Sequence, residues 1–205
     1  MSNLLFLDLE STGNRPDDQI VEIGALLVSE DLSEVLDEFT CTIDPGLEGW
    51  AKIRSLAVVA QMHHDSGLWD DLEARRNMVG LAEAEAKLLS WFDDIEPITI
   101  AGSGVANFDK PLVERWMPEL ASRLTYFTHD VGHLRRQYRT ATGHLLTPID
   151  STKTHRAIDD VRCHLAEARI FRAMFRFADS AMMWAATNPG THLSSTYMAE
   201  FKGVL

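Results

Sequence analysis

Apolar residues near the start of the chain form three short runs separated by polar segments. Residues 4–9 and 19–28 are almost continuously apolar, as in strands buried on both faces. Residues 35–43 alternate between apolar and polar, which is typical of a strand with one buried face. The segment STGNRPDD between the first two runs contains Gly, Asn, Pro and Asp, the residues that favour turns. We therefore expect three antiparallel strands in a meander.

Beyond residue 51 the spacing of apolar residues becomes helical and is interrupted by two short apolar stretches. The stretches 98–104 and 126–131 are expected to be strands. The predicted helices, in chain order, are 66–76, 79–92, 108–116 (stopped near Pro118), 131–139 and 156–177. Residues 141–154 are predicted to be a loop, and residues 178–205 show no clear pattern.

This order of elements predicts an α/β fold with a mixed five-stranded sheet flanked by helices. The sheet combines the three-stranded antiparallel meander with parallel strands. With 205 residues, we expect one domain over 1–177 and a C-terminal extension, 178–205, packed on the same domain. Ligands of such sheets bind at the carboxyl ends of strands, and the first strand ends at Asp8 and Glu10.

Composition predicts a cytoplasmic protein without membrane spans or disulfides. The amino terminus has no basic region and its apolar run is broken by Asp8, which argues against a signal peptide. No apolar stretch approaches the roughly 20 residues that cross a bilayer. The two cysteines, Cys41 and Cys163, are far apart in sequence.

The net charge of −12 argues against a surface that grips long duplex nucleic acid. The charge is uneven, with −15 on residues 1–100 and +3 on residues 101–205. A basic track for a phosphate chain would therefore come from the C-terminal half, although each Lys or Arg there also fits a solvated helix face.

Asp8 and Glu10 are two apart on a strand and therefore project to the same side. Two carboxylates held together repel each other, and a divalent cation removes that repulsion. Oxygen ligands favour Mg²⁺ or Mn²⁺. Taken alone, the pair also fits a helix cap or a solvent-facing strand end.

Three further candidates come from two other elements. Asp109 follows a Gly-rich strand end and opens a helix, and His155 and Asp160 mark the start of the longest predicted helix. Acids at these positions also have a simpler explanation, because the helix dipole favours negative charge in the first turn.

In order and spacing, this set resembles the DEDDh branch of the DEDD exonuclease superfamily, whose fold is RNase H-like. FLDLESTG matches the first motif of that superfamily, NFD around Asp109 the second, and HRAIDD the third. The histidine of the third motif stands five residues before the last aspartate, which assigns the ligand to Asp160 and leaves Asp159 as a cap or supporting residue.

Within the superfamily, the chain looks like oligoribonuclease from about residue 4 to 175. HHDSGLWDDL aligns His63 with a substrate-contacting histidine of that family, and WMPEL followed by FTHDVGHLRR matches a later segment. Tyr126 aligns with a tyrosine that reaches the partner's substrate across the family dimer. The resemblance therefore implies a homodimer.

The chain departs from the family at positions that wedge the bases and cap the 5′ phosphate of a two-nucleotide substrate. These positions carry Asn14, Val58, Val105, Phe127 and Gly132. The departures leave the length preference open and do not affect the metal chemistry.

The resemblance implies 3′–5′ hydrolysis of short single-stranded RNA, or of DNA ends, to nucleoside 5′-monophosphates. Asp8, Glu10, Asp109 and Asp160 would hold two Mg²⁺ or Mn²⁺ ions roughly 3.5–4 Å apart, and His155 would accept the proton of the attacking water. Ser11, Thr12, Gly13 and Asn14 would contact the substrate, together with His63 and Tyr126.

Two other functions are also consistent with the sequence. One is a proofreading-type DNA exonuclease with the same metal site, and the other is a non-catalytic nucleic-acid-binding module. A zinc site built from His63, His64 and Asp65, or from His129, Asp130 and His133, is a weaker candidate because neither group is a closed ligand set.

Overall fold

Three consecutive strands form one half of a mixed sheet in this computed structural model, which describes residues 3–93, 97–146 and 154–188. They are β1 (Leu4–Ser11), β2 (Ile20–Val28) and β3 (Val35–Ile43). Each pairs antiparallel with the next, so the predicted meander is confirmed. Every residue of β2 is buried, as its nearly continuous apolar run predicts.

Three shorter strands complete the sheet within the described residues. They are β4 (Met78–Val79), β5 (Thr99–Gly102) and β6 (His129–Asp130). Each is parallel to its neighbour, which gives the order β4-β3-β2-β1-β5-β6. The sheet thus has six strands where five were predicted, because a two-residue strand such as β4 is too short to show a period.

The described residues also form eight helices. They are α1 (Gly46–Ser55), α2 (Ala57–Asp65), α3 (Leu68–Glu73), α4 (Leu81–Leu89), α5 (Asp109–Trp116), α6 (Pro118–Arg123), α7 (Val131–Thr142) and α8 (Ala157–Thr187). Within the described part of the chain, no helix combines the length and apolar character needed to cross a membrane.

Several helix boundaries differ from the prediction. The predicted helix 108–116 ends at Trp116, as expected, but Pro118 also opens a further helix, α6, because the first turn of a helix needs no N–H from that position. The last helix continues past residue 177 to Thr187. Residues 147–153 of the predicted loop and 189–205 of the predicted extension lie outside the described residues.

The chain divides into two compact units, the first ending at Ala168 and the second beginning at Arg169. Helix α8 contributes to both units. The residues proposed for the active site, from Asp8 to Asp160, all belong to the first unit.

Alternate residues of β1 enter two separate cores. The odd-numbered leucines Leu5, Leu7 and Leu9 pack in a cluster with residues of α4, α5 and α6. Phe6 packs in the other cluster with Val161 of α8. Because side chains two apart on a strand share a face, Asp8 and Glu10 follow Phe6 onto the side of the sheet that α8 covers.

Candidate active site

The two β1 carboxylates lie on a strand that is paired on both sides over part of its length. Glu10 is buried and Asp8 is partly buried. On β2, Glu22 lies opposite Glu10 and Gly24 lies opposite Asp8. A paired strand holds side chains more rigidly than a loop, so the relative positions of the two carboxylates are well defined.

Asp109 reaches the same strand from the opposite flank. Strand β5 pairs with β1 as far as Phe6, and beyond that point the buried carboxylate of Asp109 takes over as a partner. Its Oδ1 atom accepts a hydrogen bond of 2.9 Å from the backbone N–H of Leu9. Since Leu9 separates Asp8 from Glu10 in the chain, this bond holds Asp109 against the segment of β1 that carries both carboxylates.

The start of α8 brings a histidine and a carboxylate to Glu10. One donor atom each from Glu10, His155 and Asp160 lie within 4.8 Å of one another. Asp160 is buried in the first turn of α8. The side chain of Asp159, in contrast, is 45% exposed and contacts Arg162 at 3.4 Å.

His155 has a left-handed backbone conformation, with a φ of 50°. This region is unfavourable for residues with a Cβ, although His enters it more readily than most. Such strain persists where the surrounding structure determines the conformation, and it is concentrated at functional sites.

A second histidine, His164, lies beside Asp8 and was not predicted. It is buried, and its Nδ1 atom is 3.9 Å from Asp8 Oδ1. His164 follows Asp160 by four residues on α8, so the two side chains share a helix face. That spacing was the available signal in the sequence.

The turn after β1 uses its side chains internally. The Ser11 hydroxyl donates to the Gly13 carbonyl at 2.5 Å, and Thr12 Oγ1 accepts from the Gln19 N–H at 3.1 Å. Ser11, Thr12 and Gly13 are buried, whereas Asn14 is exposed. Of these four predicted substrate contacts, Asn14 is therefore the one whose side chain faces solvent.

His63 on α2 contacts the same turn through a hydrogen bond to its backbone. It is fully buried, and its Nε2 atom is 3.0 Å from the Ser11 carbonyl oxygen. Burial lowers the pKa of His63, and the nearby His155 lowers it further, which outweighs the opposite effect of the Ser11 hydrogen bond. The ring is therefore neutral near pH 7 and donates from Nε2 to the carbonyl.

Tyr126 lies between α6 and β6 and is 91% exposed. Its ring contacts Phe127 edge to face, with centroids 5.5 Å apart. Phe127 is also exposed, so the two rings form an aromatic patch on the surface of the first unit. No described contact joins Tyr126 to the carboxylates.

Histidines of the two groups considered as zinc sites make other contacts. The ring of His64 stacks on Trp69 with centroids 4.1 Å apart, and His129 packs against Phe6. Asp130 accepts the N–H of His133 at the start of α7. Among the described residues, the group whose donor atoms converge is the one at Glu10.

The chemistry of the donor set fits a hard divalent cation. Carboxylate oxygens from two elements converge with an imidazole nitrogen, and the oxygens suit Mg²⁺ or Mn²⁺. Buried carboxylates at this separation repel one another unless a cation or proton lies between them. The fold and the converging acids together define an exonuclease of the DEDDh class with an RNase H-like sheet.

Comparison with known proteins places the chain within this class. It is 31% identical over 175 residues to an oligoribonuclease of Nocardia farcinica, covering 82% of this chain and 79% of the relative. It is 30% identical over 176 residues to an oligoribonuclease of Mannheimia succiniciproducens, covering 84% and 92%. No protein-family model matches the chain. The chain belongs to the oligoribonuclease family, and it is a 3′–5′ exonuclease.

Solved structures support the fold independently. Exonuclease I from Methylocaldum szegediense matches with a TM-score of 0.65 at 17% identity, covering 89% of this chain and 44% of the other. A zinc-bound exonuclease I–ssDNA complex from E. coli matches with a TM-score of 0.61, covering 90% and 43%. The chain thus spans less than half the length of the exonuclease I chains that it resembles.

Proposed function

We propose that the protein hydrolyses short single-stranded RNA from the 3′ end and releases nucleoside 5′-monophosphates. The observation that carries this proposal is the convergence of Glu10, His155 and Asp160, with their donor atoms within 4.8 Å of one another. Membership of the oligoribonuclease family supports RNA as the substrate. The net charge of −12 fits a short substrate better than a long one.

Two divalent cations, Mg²⁺ or Mn²⁺, are proposed as cofactors. Asp8, Glu10, Asp109 and Asp160 would hold them, and the bound ions would acidify the attacking water and stabilise the leaving 3′ oxygen. The bond from the Leu9 N–H supports this role, because it holds the Asp109 carboxylate against β1.

His155 is the proposed general base. A histidine suits this task because its ordinary pKa of about 6.5 lies near the working pH. Its ring nitrogen lies beside the Glu10 and Asp160 carboxylates, where a water bound at the acidic cluster would have its proton within reach.

The turn from Ser11 to Asn14 is the proposed contact for the terminal nucleotide. Ser11 and Thr12 hold the turn through the internal bonds described above, and His63 anchors it at the Ser11 carbonyl. Asn14 would make the side-chain contact. We propose that Tyr126 contacts the substrate of a partner protomer in a homodimer, since its exposed ring has room for such a contact.

We propose that the enzyme accepts oligonucleotides over a range of short lengths and has no strict preference for two nucleotides. Asn14 and Val58 occupy positions where the resemblance expects larger apolar or aromatic side chains, and both are exposed. A small polar or aliphatic group stacks less strongly on a base than an aromatic ring does.

We also propose that the protein acts in the cytoplasm. Cys41 and Cys163 are free thiols, as is usual in that compartment.

The test uses end-labelled RNA and DNA of two, five and twenty nucleotides, with Mg²⁺, with Mn²⁺ or with EDTA. We expect release of 5′-monophosphates from the short RNAs with either metal, and none with EDTA. Absence of products from every substrate would overturn the enzymatic proposal and favour a binding module. Asp8→Ala is the matched inactive variant.

The same assay decides the second candidate, a DNA exonuclease of the proofreading type. The observation that favours it is the fold similarity to exonuclease I, whose E. coli structures hold single-stranded DNA oligonucleotides. Faster turnover of DNA than of RNA at equal length would replace RNA by DNA as the substrate.

A further inference from the structure

Glu22 is a buried carboxylate on β2 that the mechanism above does not use. It is 1% exposed and lies directly opposite Glu10 in the β1–β2 ladder. Opposite residues of an antiparallel pair point to the same face, so both carboxylates lie on the α8 side of the sheet. Burying a charge is unfavourable unless it is paired and hydrogen-bonded, so the partners of Glu22 matter.

Those partners are the two residues that follow His155. The Ala157 N–H donates to Glu22 Oε2 at 2.9 Å, and Arg156 Nε donates to Glu22 Oε1 at 2.9 Å. Arg156 also reaches Asp71 of α3, with its Nη2 atom 2.8 Å from Asp71 Oδ2. Burial raises the pKa of Glu22, and the bonds from Ala157 and Arg156 offset part of that effect.

A second contact fixes the same end of α8. A Cβ atom placed on Gly24 would lie 2.3 Å from the Ala157 carbonyl carbon and 2.4 Å from the Ile158 nitrogen. The backbone of α8 therefore packs directly on β2 at the residue opposite Asp8. The start of the helix is thus held at two points of β2, and each point lies opposite one of the β1 carboxylates.

His155 directly precedes this anchored segment and has the left-handed φ of 50°. An unfavourable backbone conformation needs neighbours that hold it in place. Arg156 and Ala157 are those neighbours, and Glu22 binds both of them.

We propose that Glu22 is a positioning residue, which through Arg156 and the Ala157 N–H sets His155 and Asp160 against Asp8 and Glu10. The proposal rests on the proposed function, because it assigns Glu22 a role in assembling that site. In this proposal Glu22 acts through Arg156 and Ala157 and touches no reacting atom. It links the first sequence motif to the third across the β1–β2 ladder.

The test compares Glu22→Gln and Arg156→Met with a control, Glu167→Gln. Glu167 is also a buried carboxylate paired with an arginine, Arg135, but it lies about three turns beyond Ala157 on α8. Mn²⁺ binding is measured by calorimetry without substrate, kcat and KM are measured with a short RNA, and thermal midpoints are recorded for all variants.

We expect Glu22→Gln and Arg156→Met to weaken Mn²⁺ binding roughly ten-fold or more, as removal of groups that orient metal ligands does. We expect kcat to fall as well, with little change in KM. Glu167→Gln should lower the thermal midpoint without changing Mn²⁺ affinity or kcat. Arg156→Lys, which keeps the charge beside Glu22, should recover part of the loss.

Wild-type Mn²⁺ affinity and kcat in folded Glu22→Gln would overturn the inference. An equal loss in Glu167→Gln would also overturn it, because it would show a general effect of stability. Calorimetry separates this outcome from failure of the proposed function. A wild-type protein that binds Mn²⁺ but releases no nucleotides would contradict the function and leave the positioning role measurable.

Discussion

The backbone N–H of Leu9 and the carboxylate of Asp109 are joined by a hydrogen bond of 2.9 Å. The bond replaces the strand pairing that β5 provides earlier along β1. It makes Asp109 both a backbone partner of the central strand and a proposed cation ligand. These two roles can be separated by mutation.

Asp109→Asn keeps an oxygen that can accept from Leu9 but loses the charge. We expect it to lose activity while its free energy of unfolding stays close to that of the wild type. Asp109→Ala should lose the activity and the hydrogen bond from Leu9. It should also be destabilised by about 1–3 kcal/mol, because the Leu9 N–H is left without that acceptor. Urea unfolding and nucleotide release measure the two effects, and equal stability of both variants would contradict the structural role.

His164→Ala should weaken cation binding, because His164 lies next to Asp8, a proposed cation ligand. The His164 ring lies with its Nδ1 atom 3.9 Å from Asp8 Oδ1 and limits the orientations available to that carboxylate. We expect about a ten-fold loss of Mn²⁺ affinity by calorimetry. His164→Gln, which keeps a polar group of similar reach, is the control and should lose less.

Cations should stabilise the folded protein against heat. A ligand that binds only the folded state contributes about 2.7 kcal/mol at a hundred times its Kd. We therefore expect Mn²⁺ to raise the Tm of the wild type and EDTA to reverse the rise. In Asp8→Ala the rise should shrink, and an undiminished rise would place the main cation site away from Asp8.

Gly24→Ala should disturb the site and the fold together. The added methyl group would overlap the backbone of α8, which cannot give way as the end of a flexible side chain can. We expect a destabilisation of about 1–3 kcal/mol, as is usual for overpacking, and loss of activity. Gly80→Ala is the matched control, because a Cβ there meets nothing within 4 Å and φ is −73°.

Stability should fall as the solution becomes acidic below about pH 6.5. Burial lowers the pKa of His63 and of His129 below the ordinary value of 6.5. Both rings are neutral in the folded protein near pH 7. Their contribution to the free energy of unfolding is therefore complete above the pKa of an unfolded histidine, and it is lost as the pH falls through the lower pKa of the folded state. The slope is at most about 1.4 kcal/mol per pH unit for each histidine.

Urea unfolding across this pH range tests the dependence. His63→Gln keeps a donor for the Ser11 carbonyl and removes one titrating ring, so it should flatten the slope. An unchanged slope in His63→Gln would show that His63 does not carry this dependence.

The meander was predictable because β1 to β3 are long enough to show their periods; β1 and β2 are buried over almost their whole length, whereas β3 is buried only at its carboxyl end, Cys41–Ile43. The two-residue strand β4 has no period of its own, and its pairing depends on tertiary position. Asp8, Glu10 and Asp160 could be predicted as site residues because their types and spacing are informative, and the structure brings Glu10 and Asp160 together. His164 and Glu22 were missed because their meaning depends on which elements become neighbours in space.

The two thiols differ in a way that is useful for experiments. Cys41 is buried in β3, and burial together with nearby carboxylates raises its thiol pKa to about 12, whereas Cys163 is exposed on α8. Because the thiolate is the reactive form, a maleimide reagent should select Cys163. Cys163 therefore provides an attachment point for a fluorophore or spin label, on the same helix as Asp160, from which cation and oligonucleotide binding can be followed spectroscopically.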